Sequence, residues 1–153
     1  MKVARLALVG VLFSTLLACT PEAEREAESR RQIQAMLEEY LPALADAYRH
    51  GDALLLREWV AEKEVARVHK RIEELAEEGR RLEPSLRSVT VEKAEVWGHA
   101  NALVTTVEVW DLQSVTLGSD VVVQQVDNQT NRVRYQLKRD EGRWRVLFRT
   151  IAE

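Results

Sequence analysis

The chain has 153 residues and a mass of 17.5 kDa, which leaves room for one ordinary domain. Hydrophobic residues make up 46% and charged residues 31%, enough apolar material for a core and too much for a disordered chain. Six Gly and three Pro exclude collagen-like designs, the single Cys excludes a disulfide framework or a Cys-built zinc site, and a net charge of −3 argues against a generic nucleic-acid binder.

At the N-terminus Lys2 and Arg5 precede an apolar run from Leu6 to Leu17, followed by Ala18 and Cys19. This is the layout of a secretory signal peptide. As a helix the run would be about 18 Å long, too short to span a bilayer core, which takes about 20 residues. Leu16, Leu17, Ala18 and Cys19, in that order and at that distance from the start, resemble a bacterial lipobox. The resemblance implies cleavage before Cys19, a diacylglycerol thioether on its sulfur and an amide-linked acyl chain on its nitrogen. Two or three chains anchor firmly, because each buried methylene contributes about 0.8 kcal/mol. Thr20 stands where Asp would favour inner-membrane retention. The resemblance therefore implies an outer-membrane protein facing the periplasm in a host with two membranes, and a cell-surface protein otherwise. The expected division is a signal peptide over 1–18, lipidated Cys19 and a tether over 19–31, and one domain over 32–153. The polar segment from Thr20 to Arg31 reads equally as a helical lead-in or as a leash.

Ile33, Leu37, Tyr40, Leu41, Leu44 and Tyr48 fall on one helix face, with Pro42 inside the pattern predicting a kink. Gly51 supplies a stop and Asp52 an N-cap for a second helix. Its apolar positions run from Leu55 through Trp59, Val60, Val65, Val68, Ile72 and Leu75 to Gly79, with a phase break at residues 61–63. Arg80 and Arg81 suit the negative end of that helix. Beyond Pro84 the period becomes two and β-branched and aromatic residues dominate. Five strands are expected: Leu86–Trp97, Ala102–Val115, Gly118–Val126, Arg132–Arg139 and Arg143–Ile151. The intervening turns are at residues 98–101, 117–118, 127–131 and 140–142. Helices first and strands afterwards give an α+β fold, with N-terminal helices packed on an antiparallel meander.

Within the last hairpin Val133, Tyr135 and Leu137 share one face with Trp144, Val146 and Phe148, which predicts a core face. Arg132, Arg134, Lys138, Arg143, Arg145 and Arg149 alternate with them and predict a basic face. Two readings of this face stand side by side. Glu92, Glu95, Glu108 or Asp111 on neighbouring strands neutralise it, or it docks an acidic protein or an anionic polymer. Trp97 and Trp110 are expected at a rim, Trp59 and Trp144 in the core. His50, His69 and His99 lack metal-ligand spacing, so neither a metal nor a cofactor is expected.

The helix over residues 33–48, Leu55 and Trp59, Ala102-x-Val104-x-Thr106-x-Glu108, and Val133-x-Tyr135-x-Leu137-(x)4-Gly142-x-Trp144-x-Val146 together resemble the cystatin-like, nuclear-transport-factor-2-like (NTF2-like) superfamily. Within it they resemble the IMS domain of plastid-division proteins. The resemblance covers roughly residues 33–151 and implies helices packed on a curved antiparallel sheet. Enzymes of this wide superfamily work in the cone between helices and sheet, so Tyr40, Tyr48, Trp59, Glu108 and Tyr135 are the candidate cleft residues. Glu108 shares its strand face with Ala102, Val104, Thr106 and Trp110, where a carboxylate needs either a partner or a substrate. No phosphate-binding, nucleophile-elbow or zinc-protease motif is present in the sequence. The expected function is a lipid-anchored, non-catalytic interaction or adaptor domain in the cell envelope, whose partner is another envelope protein or a second copy. The alternatives are a small-ligand binder or enzyme using the cone, and electrostatic docking through the basic face. No nucleic-acid partner is expected.

Overall fold

A computed structural model describes residues 21–152; the signal peptide, the lipobox and Cys19 lie outside the described residues. Helix α1 spans Pro21–His50. Proline is favoured at a first helical position, and Glu22 and Glu24 complement the positive end of the helix dipole. The polar lead-in is thus helical, and the helix continues through Pro42. Gly51, at φ +69°, ends it in the left-handed region that glycine enters without steric cost. Asp52 then caps a 3-10 turn, Ala53–Leu56, by accepting a bond from the Leu54 amide at 2.9 Å. The break between helices comes earlier than the phase shift at residues 61–63 suggests: residues 57–61 follow the 3-10 turn, and α2 runs over Glu62–Glu77.

Four strands follow: β1 Arg80–Trp97, β2 Asn101–Thr116, β3 Val122–Asp140 and β4 Arg143–Ile151. They form an antiparallel sheet in the order β1-β2-β3-β4. Ile33, Leu37, Tyr40, Leu41 and Leu44 of α1, with Val65 and Val68 of α2, pack against Ala102, Val104, Val133, Tyr135, Leu137, Trp144 and Val146 of the sheet. The α+β arrangement expected from the sequence, with helices on one sheet face, is the one observed.

Three expectations are corrected. Strand β1 starts at Arg80, so Arg80 and Arg81 lie in the sheet and not at a helix end. Pro84 is tolerated inside β1 because β1 is an edge strand, where a missing donor costs no ladder bond. Residues 127–131 are not a turn, and the third and fourth expected strands are one. The chain bulges at Asp127 and Asn128 opposite Asp111, Asn128 takes φ +54°, and its amide bonds the Asp111 carboxylate at 2.9 Å. Polar residues that usually mark a turn here serve a bulge, which needs the same left-handed backbone.

The third correction concerns β4. Gln136 pairs with Phe148 but Leu137 pairs with Val146, leaving Leu147 as an extra residue. Beyond this bulge the faces exchange. Phe148 becomes 40% exposed, and Arg149 turns to the core side. Two further bulges in β1, at Arg87 and Glu92, space its core-facing residues as Leu86, Val89, Val91, Ala94 and Val96. Both extra residues are charged and pair outside the core, Arg87 with Asp111 and Glu92 with Arg132 at 2.7 Å.

The Asn128 backbone gives a direct test. Asn128→Gly should leave stability within about 0.5 kcal/mol, whereas Asn128→Val should cost about 1–3 kcal/mol, because a β-branched residue is strained at positive φ. Urea denaturation of both variants measures the difference; equal midpoints would remove the bulge from its place in the fold.

Candidate functional site

The expected cleft residues separate into two groups. Tyr40, Glu108 and Tyr135 meet in the interior, each without solvent exposure. Tyr48 lies mostly buried on a later turn of α1, while Trp59 sits away from them beside Trp144, Met36 and Arg143 at a surface depression. Trp110, expected at a rim, is buried, and Trp97 is 54% exposed.

Glu108 is the centre of the buried network. Its Oε1 accepts bonds from the Thr106 hydroxyl at 3.1 Å and from the Tyr135 hydroxyl. Its Oε2 accepts from Trp110 Nε1 at 2.9 Å and from Arg149 Nη2 at 2.8 Å. Arg149 Nε donates to the Tyr135 hydroxyl at 3.1 Å, and its guanidinium lies over the Tyr135 ring at 5.9 Å. Both carboxylate oxygens therefore accept from two donors each and the charge has a cation, which is what burial of a carboxylate requires. Tyr40 stacks edge-on against Tyr135 at 6.4 Å, and its own hydroxyl has no hydrogen-bond partner among the described residues. Burial pushes the Tyr135 hydroxyl well above its ordinary value, with Glu108 adding to the effect and Arg149 opposing it. Burial does the same to Tyr40 and Tyr48, again against the pull of Arg149. For Arg149 burial works against the charge, but Tyr135 and Glu108 outweigh it and hold the group above its ordinary value. The three tyrosines and Arg149 thus keep their protons at neutral pH.

Glu64 is a second buried carboxylate, missed in the sequence because its helix position looks solvent-facing. Arg67 donates to it at 2.6 Å, reaches the Arg149 carbonyl at 2.5 Å, and covers the ring of Phe148 at 4.9 Å. Among the described residues no group of three or more His, Cys, Asp or Glu side chains could hold a metal.

The expected basic face is largely committed to the protein itself. Arg149 is removed from it by the Leu147 bulge and serves the interior. Arg132 pairs with Glu92, and Arg143 pairs with Glu58 at 3.1 Å. Arg145 donates to the carbonyls of Arg57 and Val60 at 2.7 and 2.8 Å, fastening the loop before α2 to β4. Arg134 and Lys138 are exposed and engage no acid among the described residues. Of the expected counter-charges, Glu92 and Glu108 take arginines of this row, whereas Asp111 takes Arg87 and Glu95 takes Lys93 at 2.5 Å.

The sheet edges differ in the same way. Along β1 the Gln34 amide bonds the Val89 carbonyl and the Val91 amide, and Arg49 bonds the Pro84 carbonyl at 2.9 Å. Along β4 Val60 bridges Val146, with Ala61 donating to the Val146 carbonyl and Val146 donating to Trp59, each at 2.8 Å. The first half of β3, residues 122–131, has β2 on one side and, among the described residues, no strand on the other. Val121, Val122, Val123, Val126 and Leu117 are exposed around it.

Two variants separate architecture from chemistry in the interior. Arg149→Met strands the Glu108 carboxylate and should cost about 3–5 kcal/mol, while Arg149→Met with Glu108→Leu should recover most of it. Tyr40→Phe removes an unbonded hydroxyl and should change stability by at most about 1 kcal/mol at neutral pH. A tyrosine whose folded value is raised contributes stability that is complete below the unfolded value of about 10 and is lost as pH rises beyond it. The wild-type chain should therefore lose stability above about pH 10, and Tyr40→Phe should lose measurably less. Chemical denaturation across that range checks both; parallel curves would contradict the buried placement of Tyr40.

No curated protein matches this sequence. Among solved structures the chain is similar to the intermembrane space region of the chloroplast protein ARC6, at 16% identity and a TM-score of 0.68, over 79% of this chain and 94% of that one. It is also similar to a single-substitution variant of Rv3472 of Mycobacterium tuberculosis, a protein of unknown function, at 16% identity and a TM-score of 0.51, over 87% and 75% of the two chains. An NTF2-like protein with a cystatin-like fold from Novosphingobium aromaticivorans aligns at 20% identity and a TM-score of 0.49, over 86% and 85%. What the chain shares with that ARC6 region is its fold, N-terminal helices packed on an antiparallel sheet. The family model described as "ARC6-like, IMS domain" matches residues 43–147, from the second half of α1 to the bulge in β4, and the chain belongs to that family.

Proposed function

We propose that this chain is a lipid-anchored cell-envelope protein whose domain is a non-catalytic protein-interaction module. The observation that carries this reading is the sealed interior. The space in which enzymes of this superfamily would hold a substrate is occupied by Tyr40, Tyr135 and Glu108, and Glu108 already has four donors. A carboxylate so satisfied has no lone pair free for a ligand, so recognition belongs to the surface.

Attachment through Cys19 is supported by the lipobox-like Leu16, Leu17 and Ala18, with the periplasmic side of an outer membrane, or the cell surface, as the location. Among the described residues no helix is long and apolar enough to cross a membrane. The similar region of ARC6 belongs to an intermembrane space, a location of the same kind. The partner is an envelope protein that supplies an extended segment to the open side of β3 around Val122–Val126. Free backbone donors and acceptors beside exposed valines suit strand addition, in which the main chain supplies affinity and alternate side chains supply selectivity. Electrostatic docking to an anionic polymer is left with only Arg134 and Lys138 as exposed cations of the row without an acid partner among the described residues.

Two measurements test this. Cys19→Ala should move the protein from the membrane fraction to the soluble fraction; unchanged retention would sink the lipid anchor. A photo-crosslinking residue at position 123, in the intact lipoprotein in its own membrane, should give one discrete protein adduct that disappears in Val122→Glu/Val126→Glu. An adduct unaffected by those substitutions, or no adduct, would remove the β3 edge as the interface.

A further inference from the structure

Only Thr20 separates Cys19 from Pro21, the first residue of α1. On the proposed lipid attachment, on which this inference rests, the diacylglycerol emerges two residues from a helix. Two residues span at most about 7 Å even when extended. Whatever lies beside Pro21 must therefore lie beside the bilayer.

The position of Pro21 is given by the fold. The first turns of α1 border a shallow cavity of about 580 Å³, and Pro21, Glu24, Arg25, His99 and Arg139 all line it. His99 is in the turn between β1 and β2, and Arg139 closes β3 against it, its amide donating to the Ala100 carbonyl at 2.7 Å. Arg139 also bonds Gln32 of α1 at 2.9 Å. The start of the helix and the β1–β2 turn thus form one end of the molecule. Trp97 is the last residue of β1, directly before that turn, and is 54% exposed. Its preceding neighbour Val96 packs towards the core opposite Ala102, so the indole stands on the opposite face of the sheet.

The geometry points to a membrane-facing end of this domain, with Trp97 entering the interfacial layer of the phospholipid bilayer that holds the Cys19 lipid. A large exposed indole costs surface energy in water. At the headgroup boundary its ring is buried while its N–H stays hydrated. Charge does not drive the contact, because Glu22, Glu24, Asp140 and Glu141 offset Arg25, Lys138, Arg139 and Arg143 at this end. The contact is apolar and secondary to the lipid, and it fixes the orientation of a domain that a flexible leash would leave free to tumble.

The test uses the full lipidated protein reconstituted into phosphatidylcholine vesicles, with and without bromine on the acyl chains near the headgroup. Bromolipids should quench the tryptophan fluorescence of the wild-type protein, and Trp97→Phe should abolish that quenching while the protein stays vesicle-bound. Adding phosphatidylglycerol should leave the quenching unchanged. Vesicle-bound protein without quenching, or quenching that persists in Trp97→Phe, would overturn the proposal and leave the anchor standing. Wild-type protein that is not retained by vesicles would instead overturn the anchor itself, and the membrane-facing end with it. Since Trp97 is exposed and terminal in its strand, near-ultraviolet circular dichroism of Trp97→Phe should retain the native signature of Trp110 and Trp144.

Discussion

A carboxylate without solvent exposure tolerates few surroundings, and Glu108 fixes much of what lies around it. Its charge needs a cation, and the cation comes from the last strand. Arg149 reaches it only because Leu147 is an extra residue in β4, which turns the strand over after Val146. Without that bulge Arg149 would face solvent, Phe148 would enter the core, and Glu108 would be buried unpaired, at a cost of about 3–5 kcal/mol. The same guanidinium engages Tyr135, which Tyr40 of α1 packs against. Helix, central strands and final strand are therefore joined through one ion pair, and Arg67 of α2 extends the linkage to the Arg149 carbonyl. The net stability from such a pair is small, because a hydrophobic replacement of equal volume often does as well.

Alternation and helical periodicity carried most of the fold in the sequence. The helix face from Ile33 to Tyr48, the stop at Gly51, the Asp52 cap and the core row from Ala102 to Glu108 are all where the pattern places them. Two of the misplacements in the sheet have one physical source. A bulge adds a residue without altering composition, so a period-two reading runs through Leu147 and assigns Phe148 and Arg149 to the wrong faces. At Asp127 and Asn128 the polar residues of a bulge, with Asn128 left-handed, are those of a turn. The grouping of Tyr40, Glu108 and Tyr135 was legible, because each lies on an apolar face of its element. Their closure against solvent was not, since it depends on Arg149 arriving from a face that alternation assigns to the outside.

The β1 bulges show that these irregularities are used. Arg87 and Glu92 are charged residues that a regular strand would have to accommodate in its alternation. Placed at bulges, they pair outside with Asp111 and Arg132 and leave the core row apolar. Much of the outer charge is taken up in such pairs, so the face that looks basic in sequence has little free charge to offer a partner. Exposed ion pairs of this kind contribute about 0–1 kcal/mol each and vary with salt, so their weight lies in setting register and removing attraction for anions.

Closing the interior and neutralising the outer face leave the two ends of the sheet as the distinctive surfaces. One end holds the start of α1, the β1–β2 turn and Trp97. The other holds the β2–β3 turn and the exposed valines beside the open half of β3. Strand β2 runs between them for 16 residues, about 50 Å at the usual rise. If the first end rests on the bilayer, the open strand edge is carried to the far side of the domain, where a partner's extended segment can reach it without crowding by lipid headgroups. On the proposed attachment at Cys19, a helix that begins at Pro21 keeps that separation close to the length of the domain. Buried charge, bulges and the proposed lipid attachment would then act together: the first two close the interior and pair the outer charge, and the third sets which end of the domain meets the membrane.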